Sequence, residues 1–327
     1  DGFTRVDLQM ELMTGRVNQS ILTHKKLSTT TAITVTNAFL YSDQDRLLTQ
    51  THQINNGVQQ LIRRNEYSEL GQLVVKRVGS KVLGDFTDGL QKIDYSYNAR
   101  GWLKGINDIS NLYNTSDNDL FAYKLNYNTT DNSLSDKQYN GNISEVQWRT
   151  ATDNTVKQYS YSYDELNRLK TAIYSKPIPG VTSSINNSFG ENIWYDKNGN
   201  ITHLERYNDL IASPTNQIDD LVYHYTTNSN QLTSVDDLQS KPEGFNDGNT
   251  SGDDYSYDTY GNLVIDKNKG IVDSSDATKP GILYNHMNLP TKILFGTSGT
   301  IEYIYNAIGK KLQKKVTQGS IITVTDY

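Results

Sequence analysis

Three aspartates at equivalent positions are the first residues whose type could perform chemistry. Asp164, Asp196 and Asp258 each directly follow a tyrosine. Two carboxylates act as general acid and general base when they converge on one substrate and their pKa values differ. Recurrence at one position of a repeated phrase favours another role, in which a short carboxylate accepts hydrogen bonds from backbone amides two residues further on. We therefore predict that these are structural turn aspartates.

Other residue types that support catalysis or metal binding follow no known pattern. No pair of histidines has the spacing of a zinc-binding helix, and the chain has no cysteine. A Gly-x-Ser-x-Gly turn and a phosphate-binding glycine loop are also missing from the sequence. We therefore expect no enzymatic activity, no cofactor and no metal, with structural or surface roles for the histidines, which are His24, His52, His203, His224 and His286.

One acidic stretch offers a calcium loop as an alternative. It starts at Asp247-Gly248-Asn249 and has Asp258 at its twelfth position. However, Asp254 stands where an apolar residue is expected, and no helices are indicated on either side. Asp258 also belongs to a repeated turn. A solvated acidic loop is the favoured interpretation.

The elements that carry the three aspartates are copies of one phrase, Tyr-(Asp/Asn/Ser)-x-x-(Gly/Asn/Asp)-x-(Leu/Ile). Recurrence of one phrase along the chain indicates a repeat architecture. We therefore expect the function to depend on the whole array of repeats and not on a single pocket. Copies with regular spacing begin at Tyr41, Tyr67, Tyr97, Tyr163, Tyr195 and Tyr257. Copies read as one residue longer run from Tyr225 to Leu232 and from Tyr305 to Leu312, and copies read as shortened begin at Tyr139 and Tyr284.

Each copy predicts a strand, a tight turn and a returning strand. In the segment 159–163, tyrosine alternates with serine, which places the rings on one face of a strand. Four residues after the tyrosine comes a residue type that tolerates positive φ. Asn198-Gly199 is in addition a two-residue hairpin signal. The positive-φ column contains Gly71, Gly101, Gly199 and Gly261, with Asn167 and Asp45 in the same place.

The expected fold is all-β, an array of antiparallel hairpins that form one continuous sheet. We predict about ten hairpins between residues 39 and 315, in a single domain that spans residues 1–327, because an isolated hairpin is only marginally stable in water. The tyrosine rows are expected to pack neighbouring hairpins together, although exposed rings could instead stack on sugars. Polar spacers, expected to be surface loops, are 107–120, 175–192, 208–220, 236–254 and 266–281.

Composition and charge exclude several classes. Apolar residues make up 35% of the chain, which is low for a thick core, and the 23 tyrosines against 7 phenylalanines supply ring area with a polar end. The net charge of −6 argues against a nucleic-acid partner. No apolar run approaches the roughly 18 residues of a membrane span.

The repeated phrases at Tyr163-Asp164, Tyr195-Asp196 and Tyr257-Asp258 resemble the YD repeat of Rhs proteins, over nearly the whole chain. The segment 97–107 is similar in style to Rhs proteins of Bacteroidetes. The resemblance implies a sheet that spirals into a hollow shell, as in the BC component of insecticidal toxin complexes and in teneurins. In the bacterial polymorphic toxins of this family, the shell encloses a C-terminal toxin domain.

From this resemblance we expect a partial shell of a secreted or surface bacterial protein. Its partners would be an enclosed cargo polypeptide, the rest of the shell and secretion machinery. Self-cleavage is not expected, because no Asp-Pro dipeptide of the cleavage motif occurs in the sequence. The alternative is an adhesion module that binds glycans or a partner protein. The sequence ends on Thr325-Asp326-Tyr327, which looks like another repeat opening, so we expect a piece of a longer protein.

Overall fold

A computed structural model describes residues 2–80, 84, 89–113, 119–176, 188–209 and 216–327. Every regular element in this part of the chain is a β-strand, which confirms the predicted all-β class. Strands β1 to β16 form a 16-stranded antiparallel sheet in which the order of strands follows the chain. Strands β17 and β18 pair with each other, and β19 to β23 form a five-stranded sheet. None of the described segments is a helix that could cross a bilayer.

The strand bounds show how regular the array is. The first eight strands are β1 Phe3–Met10, β2 Val17–Lys25, β3 Ile33–Tyr41, β4 Leu47–Ile54, β5 Gln60–Tyr67, β6 Leu73–Val78, β7 Gln91–Tyr97 and β8 Leu103–Ile106. The next eight are β9 Phe121–Asn126, β10 Glu145–Thr150, β11 Lys157–Tyr163, β12 Leu169–Ser175, β13 Glu191–Tyr195, β14 Ile201–Tyr207, β15 Gln217–Tyr225 and β16 Leu232–Asp237. The last are β17 Tyr255–Tyr257, β18 Leu263–Asp266, β19 Ile282–Tyr284, β20 Pro290–Leu294, β21 Thr300–Tyr305, β22 Lys311–Gln318 and β23 Ile321–Asp326.

The described residues fall into two compact units. The first takes those within Asp1–Tyr161 and Ser175–Ile185, and the second those within Ser162–Tyr174 and Asn186–Tyr327. Within each unit, the strand contacts that the structure describes join only neighbours in sequence. Each unit is therefore built from local hairpin contacts, as the repeat pattern predicts. That the chain forms a single domain stays a prediction.

The hairpins extend beyond the predicted limits of 39 and 315. Strands β1 and β2 form a hairpin without any tyrosine, in which Met10 pairs with Val17 across a register shift. The turn is closed by Gly15, whose φ is +70°. The sequence pattern missed this hairpin because methionine occupies the tyrosine position. At the other end, β23 continues the array past residue 315.

One cluster of buried apolar side chains lies in the first unit. It consists of Leu125, Tyr127 and Val146. Partly buried side chains pack around it, and they are Trp102, Leu103, Tyr123, Ile143, Trp148 and Tyr161. Five of these nine residues are aromatic, which agrees with the low aliphatic content of the chain.

In the second unit the ladder of strand pairs is interrupted on both sides of the β17–β18 hairpin. Individual hydrogen bonds span the first interruption. The backbone N–H of Asp254 donates to the Thr233 carbonyl at 2.8 Å, and the Val235 N–H donates to Asp254 Oδ2 at 2.9 Å. Beyond the hairpin, the Gly281 N–H donates to the Val264 carbonyl at 2.8 Å.

The spacer 236–254 is not entirely the surface loop that we expected. Asp237 is 6% exposed and Asp254 is 1% exposed, because both carboxylates accept hydrogen bonds from surrounding chain. Parts of three other spacers, namely 114–118, 177–187 and 210–215, lie outside the described residues.

Candidate functional site

The regular turn is organised by its aspartate. In the β13–β14 turn, Asp196 Oδ1 accepts the backbone N–H groups of Asn198 and Asn200 at 2.8 and 2.9 Å. Its Oδ2 accepts the Asn200 side-chain amide at 2.8 Å. Because these three donors belong to the same turn, the carboxylate stabilises the turn without any contact from another hairpin.

The other two predicted aspartates lie in turns of the same form. Asp164 accepts the N–H groups of Leu166 and Arg168, each at 2.9 Å. Asp258 likewise accepts those of Tyr260 and Asn262, each at 2.9 Å. Each carboxylate is therefore engaged by its own turn, and the three stand in three separate hairpins.

The hydrogen bonds also set the acidity of these groups. The Asn262 side-chain amide, with backbone donors of the turn, lowers the pKa of Asp258 below its ordinary value despite some desolvation. In Asp164 and Asp196, desolvation acts to raise the pKa, but the turn donors outweigh it and the pKa values are lowered. All three carboxylates therefore favour the charged, acceptor-only form.

The positive-φ column lies where the sequence predicts it. The Gly199 and Gly261 φ angles are +92° and +84°, and Asn167, a non-glycine in the same column, has a φ of +64°. Asp45, Gly71 and Gly101 have φ angles of +63°, +82° and +80°.

The interpretation of Asn198-Gly199 as a two-residue hairpin is wrong. The Asp196 N–H donates to the Asn200 carbonyl, so three residues form the loop. A register shift next to Tyr195 marks the accompanying bulge. A type I turn followed by a left-handed residue has this form, and it increases the local twist.

The tyrosine hydroxyls join successive hairpins, a connection that the sequence pattern did not reveal. Seven of them donate to the carbonyl of the residue that begins the returning strand of an earlier hairpin, over 2.8 to 3.2 Å. The seven pairs are Tyr41 to Val17, Tyr67 to Leu47, Tyr127 to Leu103, Tyr195 to Leu169, Tyr225 to Ile201, Tyr284 to Leu263 and Tyr305 to Pro290. The tyrosine column and the leucine column of the phrase are thus two halves of one inter-repeat contact.

Arginine strengthens some of these contacts from the turn side. The guanidinium of Arg168 lies 4.6 Å from the ring centroid of Tyr195, and that of Arg46 lies 5.9 Å from that of Tyr67. Both arginines stand five residues after a repeat tyrosine, one place before the leucine column. The arginine of one repeat therefore covers the tyrosine of the next, a cation–π contact.

Two copies that the sequence suggested were irregular are regular. Tyr284 pairs with Pro290 and Tyr305 pairs with Lys311, so proline and lysine occupy the leucine position at the ordinary spacing. Tyr97, Tyr163 and Tyr257 end strands β7, β11 and β17 as predicted from the phrase, and Tyr225 pairs with Leu232 in the longer turn.

The assignment of Tyr139 as a repeat tyrosine is wrong. Tyr139 lies in the loop between β9 and β10 and is 64% exposed. Tyr127, which follows β9 directly and is 9% exposed, makes the inter-repeat bond to Leu103 instead. The sequence misled because the Tyr127 copy has a long loop in place of its turn, whereas Tyr139-Asn140-Gly141 imitates a turn.

That long loop is held by a buried carboxylate, Glu145, which the sequence analysis did not single out. Glu145 is 0% exposed. Its Oε2 accepts the Asn126 side-chain amide at 2.8 Å and the Asp131 N–H at 2.7 Å. Its Oε1 accepts the Asn132 N–H at 3.2 Å and the Ser135 hydroxyl at 3.0 Å. A buried charge needs this full set of donors, which here come mostly from the loop.

The histidines do not form a cluster. His203 Nε2 lies 2.5 Å from Asp220 Oδ1, and His224 Nε2 lies 2.8 Å from Asp236 Oδ2, each across neighbouring strands. His24 contacts Thr4, His52 contacts Asn37 and His286 is exposed. Among the described residues, no three acidic or histidine side chains are grouped so that they could hold a metal ion.

The stretch considered as a calcium loop uses its acids in other ways. Asp254 Oδ1 accepts the Asn249 amide at 2.8 Å, and Asp254 Oδ2 accepts the Asn268 amide at 2.9 Å. Asp258 is bound within its own turn. Desolvation raises the pKa of Asp247, and repulsion from the nearby Asp254 carboxylate acts in the same direction. The favoured alternative, a solvated loop, is also wrong for Asp254, which is buried.

The first unit presents one extended aromatic surface. Tyr95, Ile106, Tyr123 and Trp148 face each other in register across β7 to β10. The Trp148 ring stacks on Tyr159 with centroids 5.8 Å apart. The Tyr161 ring stacks in turn on Tyr159, with centroids 5.9 Å apart. We call the surface formed by these six side chains the aromatic face; they are Tyr95, Ile106, Tyr123, Trp148, Tyr159 and Tyr161.

The aromatic face is only half-buried. All six of its side chains keep part of their surface exposed, because strand contacts within the unit join only sequence neighbours. Burial raises the pKa of Tyr95 and Tyr123 further above physiological pH. An aromatic surface with neutral polar ends suits contact with another polypeptide or a ligand.

Comparison with known proteins adds little. No family model and no curated protein matches this chain. Among solved structures, a porin-like protein from Bacteroides uniformis ATCC 8492 aligns with 94% of this chain and 93% of its own, at 10% identity and a TM-score of 0.17. At that identity and TM-score, the likeness carries no argument.

Proposed function

We propose that this chain is a wall segment of a secreted or cell-surface Rhs-type protein that encloses a cargo polypeptide, the C-terminal toxin domain of the same protein. The observation that carries the proposal is the series of hairpins, seven of which are tied to an earlier one by a tyrosine hydroxyl and a strand-start carbonyl. Such a series can be lengthened without a growing core, which is what a wall requires.

The aromatic face supports this proposal. Trp148 and Tyr159 form part of a half-exposed surface without a second layer of strands among the described residues of the first unit. A cargo polypeptide would cover this surface and shield its own apolar side chains from water. Containment in this form needs no catalytic residue in the wall.

The partners follow from the same reasoning. They are the enclosed polypeptide, further hairpins of the same wall and the secretion machinery that exports the whole protein. The net charge of −6 speaks against a nucleic-acid partner.

The test compares the longer protein that carries this segment with a version from which the repeats are deleted. We expect the C-terminal domain to become active and protease-sensitive when the repeats are removed. If that domain is equally inert and equally protease-resistant without them, containment is wrong.

A matched pair of variants tests the role of the aromatic face. Trp148→Ala and Gln147→Ala alter neighbouring residues on opposite faces of β10. We expect greater protease sensitivity of the cargo in Trp148→Ala alone, after thermal melting has shown that both walls are folded. Equal protection by both folded variants would count against cargo contact at this face.

A further inference from the structure

The regular turn is replaced by a long loop between β9 and β10. In a regular copy the returning strand begins six residues after the tyrosine, but here Tyr127 is followed by β10 only at Glu145. In repeat proteins, insertions into single repeats commonly form loops on the binding face. A ligand site is therefore expected at this loop more than at the regular turns.

The loop is preorganised. Its base is closed by the Gln138 N–H, which donates to the Tyr127 carbonyl at 2.7 Å, and by the Ser144 N–H, which donates to the Asn126 carbonyl at 2.8 Å. Glu145 binds the centre of the loop through three donors, namely the N–H groups of Asp131 and Asn132 and the Ser135 hydroxyl. A site on this loop would lose little conformational entropy when it binds a ligand.

A pocket of about 250 Å³ lies between this loop and the β7–β8 turn. Arg100 joins the two walls, because its guanidinium lies 5.1 Å from the Trp102 ring centroid and its Nη1 donates to the Tyr139 carbonyl at 2.7 Å. The pocket is lined by Asn98, Ala99, Arg100, Trp102, Tyr127, Asn128, Gln138 and Tyr139.

The lining combines two chemistries. Trp102 and Tyr139 supply aromatic surface, and Tyr139 is 64% exposed. Asn128 and Gln138 supply amides, which both donate and accept hydrogen bonds. A pyranose ring matches this pair, since its C–H face is apolar and its hydroxyls both donate and accept.

We propose that this pocket binds a single pyranose unit of a glycan, with Tyr139 as a stacking wall and Asn128 as a hydrogen-bonding partner. Arg100 is a positioning residue that holds the Tyr139 backbone against Trp102. The site is independent of cargo containment. The pocket at the regular β11–β12 turn also has aromatic side chains, Trp194 and Tyr195, but its lining includes no amide side chain.

The experiment measures binding of methyl pyranosides, namely those of glucose, galactose, N-acetylglucosamine and glucuronic acid, at millimolar concentration by saturation-transfer NMR. A glycan array with the same protein checks larger ligands. The variants are Tyr139→Ala and Asn128→Ala. The matched control is Tyr260→Ala, which removes another exposed tyrosine, 81% exposed, from a turn of the second unit.

We expect Tyr139→Ala to weaken binding about tenfold or more, because it removes an aromatic contact surface. Asn128→Ala should weaken it less, and Tyr260→Ala should bind as the wild type does, with thermal midpoints unchanged in all three. The proposal is overturned if no pyranoside or array glycan binds the wild type. It is equally overturned if Tyr139→Ala binds as tightly as the wild type, or if Tyr260→Ala loses binding to the same extent.

Discussion

The β13–β14 turn and the β9–β10 loop solve one problem in two ways. In both, a carboxylate accepts hydrogen bonds from backbone N–H groups and so stabilises a reversal of the chain. The carboxylate is that of Asp196 in the turn and that of Glu145 in the loop. Asp196 takes its donors from the next four residues, whereas Glu145 takes them from residues ten to nineteen positions earlier. The turn can be copied along the chain, but the loop depends on tertiary structure.

The difference in burial explains why only one of them repeats. A partly exposed turn carboxylate keeps contact with water and loses little when a donor is absent. Glu145 is fully buried, so every lost donor exposes an uncompensated charge to a low-dielectric surrounding.

The largest predicted effect is that of Glu145→Ala. It should lower the free energy of unfolding by about 3–5 kcal/mol, since four donors lose their buried acceptor. Glu165→Ala, at an exposed turn position, is the control and should change it by less than about 0.5 kcal/mol. Chemical denaturation of both variants measures the difference, and equal stabilities would show that Glu145 does not hold the loop.

The next effect sharpens the account of the turn. Gly199→Val and Gly261→Val should each destabilise the array by at least about 1–2 kcal/mol, since β-branched residues resist positive φ. The cause is conformational, because a Cβ at Gly261 would meet no atom within 4 Å.

Gly199→Asn is the matched control for these valine variants. Asparagine already stands in this column at Asn167 and Asn288, with φ angles of +64° and +55°. We expect its thermal midpoint to stay close to that of the wild type. Unchanged melting of both valine variants would count against the turn geometry.

The sequence predicted the local half of this architecture. The strand, the turn aspartate and the positive-φ residue lie within seven consecutive residues, so their interactions can be derived from Asp196 and Gly199 without knowledge of the fold. The hydroxyl-to-carbonyl bond of Tyr195 could not be derived in this way, because its acceptor, Leu169, lies 26 residues earlier. The assignment of Tyr139 as a repeat tyrosine was wrong for a related reason, since the sequence of a loop can resemble that of a turn.

The inter-repeat bond gives a smaller predicted effect. Tyr195→Phe removes the hydroxyl that donates to the Leu169 carbonyl at 2.8 Å, and should cost about 0.5–1.5 kcal/mol. Tyr139→Phe removes the hydroxyl of an exposed loop tyrosine and should have no measurable effect on unfolding. If thermal melting ranks the two variants the other way round, the hydroxyl bond does not join the repeats.

The smallest effect is a dependence on acid. Because the pKa of Asp258 is lowered in the folded protein, its contribution to stability is present above about pH 4 and is lost as the pH falls through the lowered value. Asp258→Asn should therefore show a weaker fall in stability below pH 4 than the wild type, in unfolding experiments at several pH values. Parallel curves for the two proteins would show that Asp258 is not held in its charged form.

Amide hydrogen exchange tests most directly the claim that the loop is built as firmly as the repeated turns. The N–H groups of Asp131 and Asn132, which donate to Glu145, should exchange as slowly as strand amides of β10, and their protection should disappear in Glu145→Ala. Exchange of these two amides at the rate of an unstructured chain, while the strands stay protected, would contradict the account.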